Sequence, residues 1–261
     1  MRPPLPSILE AILATKRDEV AALRSVGTPP DERIGDPPRS LRDALDRRVG
    51  EPMRVLAEIK RASPSAGPIR PGADPVAIAR EYAAAGAAAI SVLTDRTYFA
   101  GDLAFVAPVR AASGLPVLRK DFIIDPLQID EAWRAGADAI LLIVAALERA
   151  QLSELLAAAR ARGLDVLVEA HSRAEAEMAL DSGTTLIGVN HRDLHSFQID
   201  MTLTAQIAAR IPDGVVLVAE SGIKTAADVR AMTQARAHAV LVGEHLMRAT
   251  SPGDALRELL A

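Results

Sequence analysis

"GADAILLIVAALERAQLSELLAAARARGLDVLVEA", residues 136–170, contains one complete structural period. Gly136 opens an apolar run, "DAILLIV". A short turn leads into an alanine-rich segment with apolar residues at helical spacing. Gly163 then precedes a second run, "DVLVE". A glycine just past a helix end supplies the left-handed conformation that stops the helix. The unit therefore reads as strand, loop, helix, glycine, strand.

The same unit recurs on both sides. The runs are "MRVLAEI" from Met53, "AAISVL", "LPVLR", "DAILLIV", "DVLVE", "TLIGVN", "GVVLVAE" and "HAVLVG". Gly86, Gly183 and Gly214 stand before other runs as Gly136 and Gly163 do. Strands alternating with helices imply parallel pairing through right-handed crossovers. The runs are continuous rather than alternating, as strands covered on both faces should be. Eight units in a chain of 261 residues fit an α/β fold, the (β/α)8 TIM barrel. A doubly wound open sheet is the rival, but the chain has neither a G-x-G-x-x-G nor a Walker A pattern.

The residues before the repeat read differently. "PSILEAILATKRDEVAAL" has helical periodicity with Ser7 as its cap, "TPPDERIGDPP" is a proline-rich connection, and "SLRDALDRRV" reads as a second short helix. We expect one domain over 1–261, with an N-terminal helical extension over 1–50 and the barrel over 51–261. The extension is too small to form a core of its own.

Composition narrows the partners. The chain is 49% hydrophobic and 25% charged, with a formal net charge of −4 and no cysteine. That balance offers no basic surplus for nucleic acid. The longest apolar stretch, 139–147, is too short to span a bilayer, and charges interrupt the N-terminus where a signal peptide would be apolar. The expectation is a cytoplasmic protein, a monomer or weak homo-oligomer, acting on a small molecule.

The polar residues fall where this fold places its chemistry. Catalytic groups in such barrels project from the C-terminal ends of the strands. Glu58 and Lys60 are two residues apart at the end of the first run, so they share a face. Lys120 ends the third run, Glu169 the fifth, Asn190 the sixth and Glu220 the seventh. Buried charges of this kind must pair, and a mixed cluster of lysines and glutamates can supply acid and base in one pocket. A salt-bridge network that merely closes the barrel is the alternative. Desolvation and neighbouring cations would lower a lysine pKa, while glutamates pull it up, so the sequence leaves that balance open. "AESGIKT" and "LVGEHLMRA" follow the last two strands, where Gly222 and Gly243 can offer backbone N–H groups to an anion. Glu244 must then turn its carboxylate away. "HRDLH", 191–195, has the spacing of a helical metal pair but sits in a loop without a third ligand, so we expect no metal. His171, His238 and His245 read as structural, Trp133 as packing, and Arg61 as an anion contact or a solvated side chain.

These residues resemble the indole-3-glycerol-phosphate synthase family of tryptophan biosynthesis. The resemblance runs from about residue 5 to the end. It is carried by "EIKRASPS", "SVLTDRTYFAG", "PVLRKDFIIDPLQI", "GADAILLI", "VLVEAH", "GVNHRDL", "AESGI" and "LVGEHLMR" in the family's order. It implies a carboxy-lyase on a (β/α)8 barrel that uses no cofactor. The family's reaction closes the indole ring of 1-(o-carboxyphenylamino)-1-deoxyribulose 5-phosphate and loses carbon dioxide and water. By motif, Lys120 is implied as general acid, Lys60 as substrate contact and second acid, and Glu169 as general base. Glu58 would hold the lysines charged and placed, and Asn190 and Glu220 would orient the substrate. Ser63 and Arg192 would help bind it. Ser221, Gly222, Gly243 and the Glu244 backbone would hold phosphate, and Phe99, Phe122 and Leu194 would wall the anthranilate ring. Two positions depart from the pattern: His191 where relatives often have Asn, and Ala66 where they often have Lys.

Three alternatives accompany this expectation. Phosphoribosylanthranilate isomerases use a cysteine base, which this chain lacks. Histidine-pathway barrels use paired aspartates at strand ends. A non-catalytic barrel that senses a sugar phosphate would keep Gly222 and Gly243 with no need of Lys120 and Glu169 together.

Overall fold

The structure, a computed structural model, describes residues 7–27 and 31–261. The Ser7 side chain proposed as a cap and residues 28–30 of the proline-rich connection lie outside the described residues. Helix α1 spans Ser7–Ser25 and α2 spans Leu41–Leu45. Eight barrel strands follow, besides a small hairpin of Ala62–Ser63 with Gly67–Pro68: β1 Arg54–Ile59, β2 Ala89–Leu93, β3 Val117–Lys120, β4 Ala139–Ile143, β5 Asp165–Ala170, β6 Leu186–Asn190, β7 Val216–Glu220 and β8 Ala239–Val242. They pair in parallel in the order β1-β8-β7-β6-β5-β4-β3-β2, and β2 closes on β1. Helices α3 (Pro75–Ala84) to α12 (Pro252–Leu260) lie between and after the strands. Those used below are α4 (Arg96–Phe99), α6 (Pro126–Arg134), α7 (Arg149–Ala161), α8 (Arg173–Asp181), α10 (Ala226–Gln234) and α11 (Glu244–Arg248).

The punctuation is as the repeat requires. Gly86, Gly136, Gly163, Gly183 and Gly214 all have positive φ, between 69° and 91°. Before β8 the same place is taken by Arg236, at φ 63°, so an exposed arginine adopts the conformation that glycine adopts elsewhere.

Alternation along each strand separates two cores. Outward residues such as Val55, Ala57, Ile59, Val168 and Val240 pack against the helices. Inward residues fill the barrel: Leu56, Leu118, Leu141, Leu167, Leu186, Val218 and Leu241 form one buried cluster. Each such side chain contributes ~1.5–3 kcal/mol of burial energy. Leu41 and Leu45 of α2, both fully buried, join this inner cluster and close the N-terminal end of the barrel. The second short helix is thus only five residues long. Ser40 caps it by accepting the Asp43 N–H, and beyond Leu45 the next aliphatic residue, Val49, is fully exposed. Nothing apolar continues the helix. Where the leucine layers end toward the C-terminal side, the inward positions become charged.

Candidate active site

The alternation that buries Leu56 also aims Glu58 inward, and Lys60 follows just past the strand. Lys60 Nζ lies 2.7 Å from Glu58 Oε1. Both charges at the end of this apolar run face the cavity, while Ala57 and Ile59 face the helices. Lys120 at the end of β3 reaches across the mouth. Its Nζ donates to Glu169 Oε2 at 3.0 Å and to Glu220 Oε2 at 3.4 Å. Asn190 Nδ2 donates to Glu169 Oε1 at 3.3 Å, and Asn190 Oδ1 accepts from Ser221 Oγ at 2.8 Å. Four strand ends, those of β3, β5, β6 and β7, therefore meet in one hydrogen-bonded network, with the Glu58–Lys60 pair of β1 beside it, around a cavity of about 740 Å³.

Burial amplifies the charges. It opposes the Lys120 ammonium, but Glu169, Glu220 and Glu58 outweigh it and hold the lysine well above its ordinary pKa. The balance left open by the sequence falls to the glutamates. Burial likewise opposes the Glu169 carboxylate, yet Lys120, with His171 behind it, holds Glu169 far below its usual range. Glu220 goes the other way. Burial and the nearby Glu169 and Glu58 exceed the pull of Lys120 and push it up to about 8. One of its oxygens, Oε1, is buried and has no hydrogen-bond partner among the described residues. Glu169 is thus held ionised and Lys120 charged, while the Glu220 carboxylate is the disfavoured charge of the ring.

Two wall glycines make room for the carboxylates. A Cβ on Gly188 would stand 2.1 Å from Glu220 Oε1, and one on Gly243 would stand 2.3 Å from Glu58 Oε1. Neither has the positive φ that would itself call for glycine. Gly243 is therefore more than a turn residue. It also caps α11, and Glu244, which lines the cavity, turns its carboxylate to Arg248 Nε at 3.0 Å. On the adjacent loop Ser221 and Gly222 both have positive φ, 70° and 83°. His191 anchors this loop. Its Nδ1–H donates to the Ser221 carbonyl at 2.8 Å, so Nε2 accepts from Thr204 Oγ1 at 2.7 Å. Burial lowers the His191 pKa, which keeps this ring neutral. The departure at 191 thus holds a strained turn, and His195 is exposed on the loop, away from it.

The apolar side of the cavity includes Phe99 and Phe122, with ring centroids 5.9 Å apart, and Leu194. Asp95 places Phe99 by capping α4. Ser63, Ala66 and Arg192 also line the cavity, Ser63 in a two-residue hairpin with Gly67. Arg61 is directed elsewhere: it donates to the Ala73 carbonyl and stacks 4.4 Å from the Phe105 ring. Trp133 packs under the Arg162 guanidinium at 4.7 Å.

Three contributions escaped the sequence reading. Helix α1 lies across the mouth, and Ile8, Leu9 and Ile12 line the cavity. Lys16, four residues on, is 1% exposed and contacts Asp95 Oδ2 at 2.8 Å and Asp121 Oδ1 at 2.9 Å. The signal was present: Leu9, Ile12, Leu13, Lys16 and Val20 share the buried stripe of one helix, and a lysine there needs buried partners. His171, read as structural, stands against Glu169 with Nε2 3.1 Å from Oε1. Gly188, within "TLIGVN", gave no signal because its reason is a side chain 32 residues away.

The chain is 50% identical over 256 residues to the indole-3-glycerol phosphate synthase of Desulfotalea psychrophila, covering 97% of this chain and 98% of that protein. It is 48% identical over 257 residues to the enzyme of that name from Rhizorhabdus wittichii, with 97% of each covered. Among solved structures, thiamine phosphate pyrophosphorylase from Pyrococcus furiosus shares the fold, with a TM-score of 0.62 at 17% identity over 84% of this chain and 96% of that one. A mandelate oxidase mutant shares it at a TM-score of 0.57 and 20% identity, over 85% of this chain and 78% of that one. The family model of indole-3-glycerol phosphate synthase matches residues 9–259, and with these relatives it shows that the chain belongs to that family, the carboxy-lyases that close the indole ring in tryptophan biosynthesis.

Proposed function

We propose the following division of labour for the family's reaction in this chain. The substrate, 1-(o-carboxyphenylamino)-1-deoxyribulose 5-phosphate, sets its anthranilate ring between Phe99, Phe122 and Leu194. Its phosphate meets the backbone N–H groups of Ser221, Gly222, Gly243 and Glu244. Lys120 donates a proton to the ribulose carbonyl as the aromatic carbon attacks it. Its raised pKa keeps that proton in place until the carbonyl oxygen develops alkoxide charge, which is a far stronger base. Carbon dioxide then leaves, and the ring carbon regains its electrons. Glu169 removes the proton whose loss allows elimination of water, and Lys60 supplies a proton to the departing hydroxyl. Glu58 holds Lys60, Asn190 and Glu220 orient the substrate, and Ser63 and Arg192 flank it. A small phosphorylated substrate and a cytoplasmic setting belong to the same reading.

The observation that carries it is the Lys120 ammonium held 3.0 Å from Glu169 and 3.4 Å from Glu220 at an apolar-walled cavity. An acid and a base are fixed within one hydrogen bond of each other. The experiment is indole fluorescence with this substrate, comparing the wild type with Lys120→Ala. Growth with the wild type alone supports the assignment, whereas near-normal turnover by Lys120→Ala moves the acid elsewhere, first to Lys60. Inorganic phosphate should compete with substrate, and its failure to do so at high concentration counts against the Gly222 and Gly243 loops.

A further inference from the structure

On the side of Glu169 that faces away from the cavity stands a histidine the reaction has not used. His171 follows Glu169 by two residues, and its side chain is 5% exposed. Nε2 lies 3.1 Å from Glu169 Oε1, and Nδ1 lies 3.4 Å from Glu175 Oε2. Glu175 is fixed in turn, because it accepts the His171 backbone N–H at 2.8 Å in the first turn of α8. Among the described residues neither ring nitrogen makes an aligned hydrogen bond, so the contacts are those of charges. His171 does not line the cavity and cannot touch a substrate there.

The charged groups acting on the ring are Glu169 from β5 and Glu175 from α8. Lys120 and Glu220 reach it through Glu169. Burial opposes an imidazolium at this place, but the two carboxylates outweigh it and bring its pKa to about 9. Glu169 therefore has two counter-ions: Lys120 on Oε2 at 3.0 Å and His171 on Oε1 at 3.1 Å.

The second counter-ion matters when the first is discharged. Once Lys120 has given its proton to the carbonyl, Glu169 faces a neutral amine with two further glutamates close by. Its proton affinity would rise, and a protonated Glu169 is no longer a base. We propose that His171 is a positioning residue for this reaction: it keeps the Glu169 carboxylate ionised and aimed while Lys120 is without its proton. This rests on reading Lys120 as the acid and Glu169 as the base.

The test is the pH dependence of kcat in His171→Gln, with His171→Asn as the smaller replacement should Gln disturb folding. Removing a cation next to Glu169 raises its pKa by ~1–3 units, so the acid limb of kcat should move up in pH by that amount while KM stays unchanged. At alkaline pH, where Glu169 is ionised in both proteins, kcat should converge on the wild type. A profile superimposable on the wild type in both variants overturns the inference. Nitrogen-15 NMR of the imidazole in the free enzyme gives a readout independent of turnover. The His171 ring should titrate well above an ordinary histidine, and its midpoint should fall in Glu169→Gln. A ring that is neutral at pH 7 in the wild type overturns the inference as well. Near-normal turnover by Glu169→Gln sinks the base reading and the inference with it. Unmoved profiles at 171 beside an inactive Glu169→Gln sink the inference alone.

Discussion

Gly188→Ala is the smallest change that should disable the site without touching a polar group. At an ordinary strand position, alanine is favoured over glycine by ~0.5–1 kcal/mol, because it loses less backbone freedom on folding. Gly188 has no positive φ to forbid the exchange. Its Cβ, however, would lie 2.1 Å from Glu220 Oε1, 3.2 Å from Glu220 Cδ and 3.3 Å from Leu167 Cδ1. Reaching even 3.0 Å requires the carboxylate to withdraw by 3.0 − 2.1 Å, about 1 Å, from the Cβ. Glu220 is 1% exposed and cannot swing into solvent. Overpacking of this kind costs ~1–3 kcal/mol, or ~2–12 °C in Tm for a domain of this length. A shift of 1 Å in the group that holds Lys120 should lower kcat by ~10²-fold. Indole fluorescence and calorimetry measure the two effects. Glu220→Asp added to Gly188→Ala shortens the offending side chain by one methylene and should restore much of the lost Tm. Wild-type turnover together with a raised Tm in Gly188→Ala would refute the reasoning, since glycine would then be there for no reason of space.

Other perturbations read different parts of the molecule. Lys16→Met removes the cation on Asp95 and leaves Asp121 with Arg119 alone, and should cost ~3–5 kcal/mol, with α1 cleaved earlier by protease; unchanged protease resistance would show that the helix is held by its apolar stripe alone. Burial opposes the Asp121 charge, but Arg119 and Lys16 hold its pKa at about 2, below the ordinary value of 3.8. Its stabilising contribution is therefore complete above 3.8 and lost as pH falls through about 2. Denaturant titrations across that window should show a steeper loss in the wild type than in Asp121→Asn. Arg236→Gly should raise stability by about 1 kcal/mol by relieving a non-glycine residue at φ 63°, and a lower Tm would contradict it.

Much of this molecule was legible in one dimension. Hydrophobic runs, helical stripes and the glycines at positive φ are local features, fixed by residues within a few positions of one another. They give eight strand–helix units and hence the barrel. The polar ends of the runs show which residues gather at the mouth, because alternation along a strand is itself local. Family motifs then name the chemistry. What the chain could not show was which charge meets which. Lys120 lies 49 residues from Glu169 and 100 from Glu220, and only closure of the barrel brings them within 3.4 Å. Coulomb energies depend on that separation and on the loss of water around it. So the upward shifts of Lys120 and Glu220 and the second counter-ion on Glu169 were decided by tertiary structure. Lys16 and Gly188 belong with them. Each is explained by atoms far away in sequence, a pair of carboxylates in one case and the room for a carboxylate in the other.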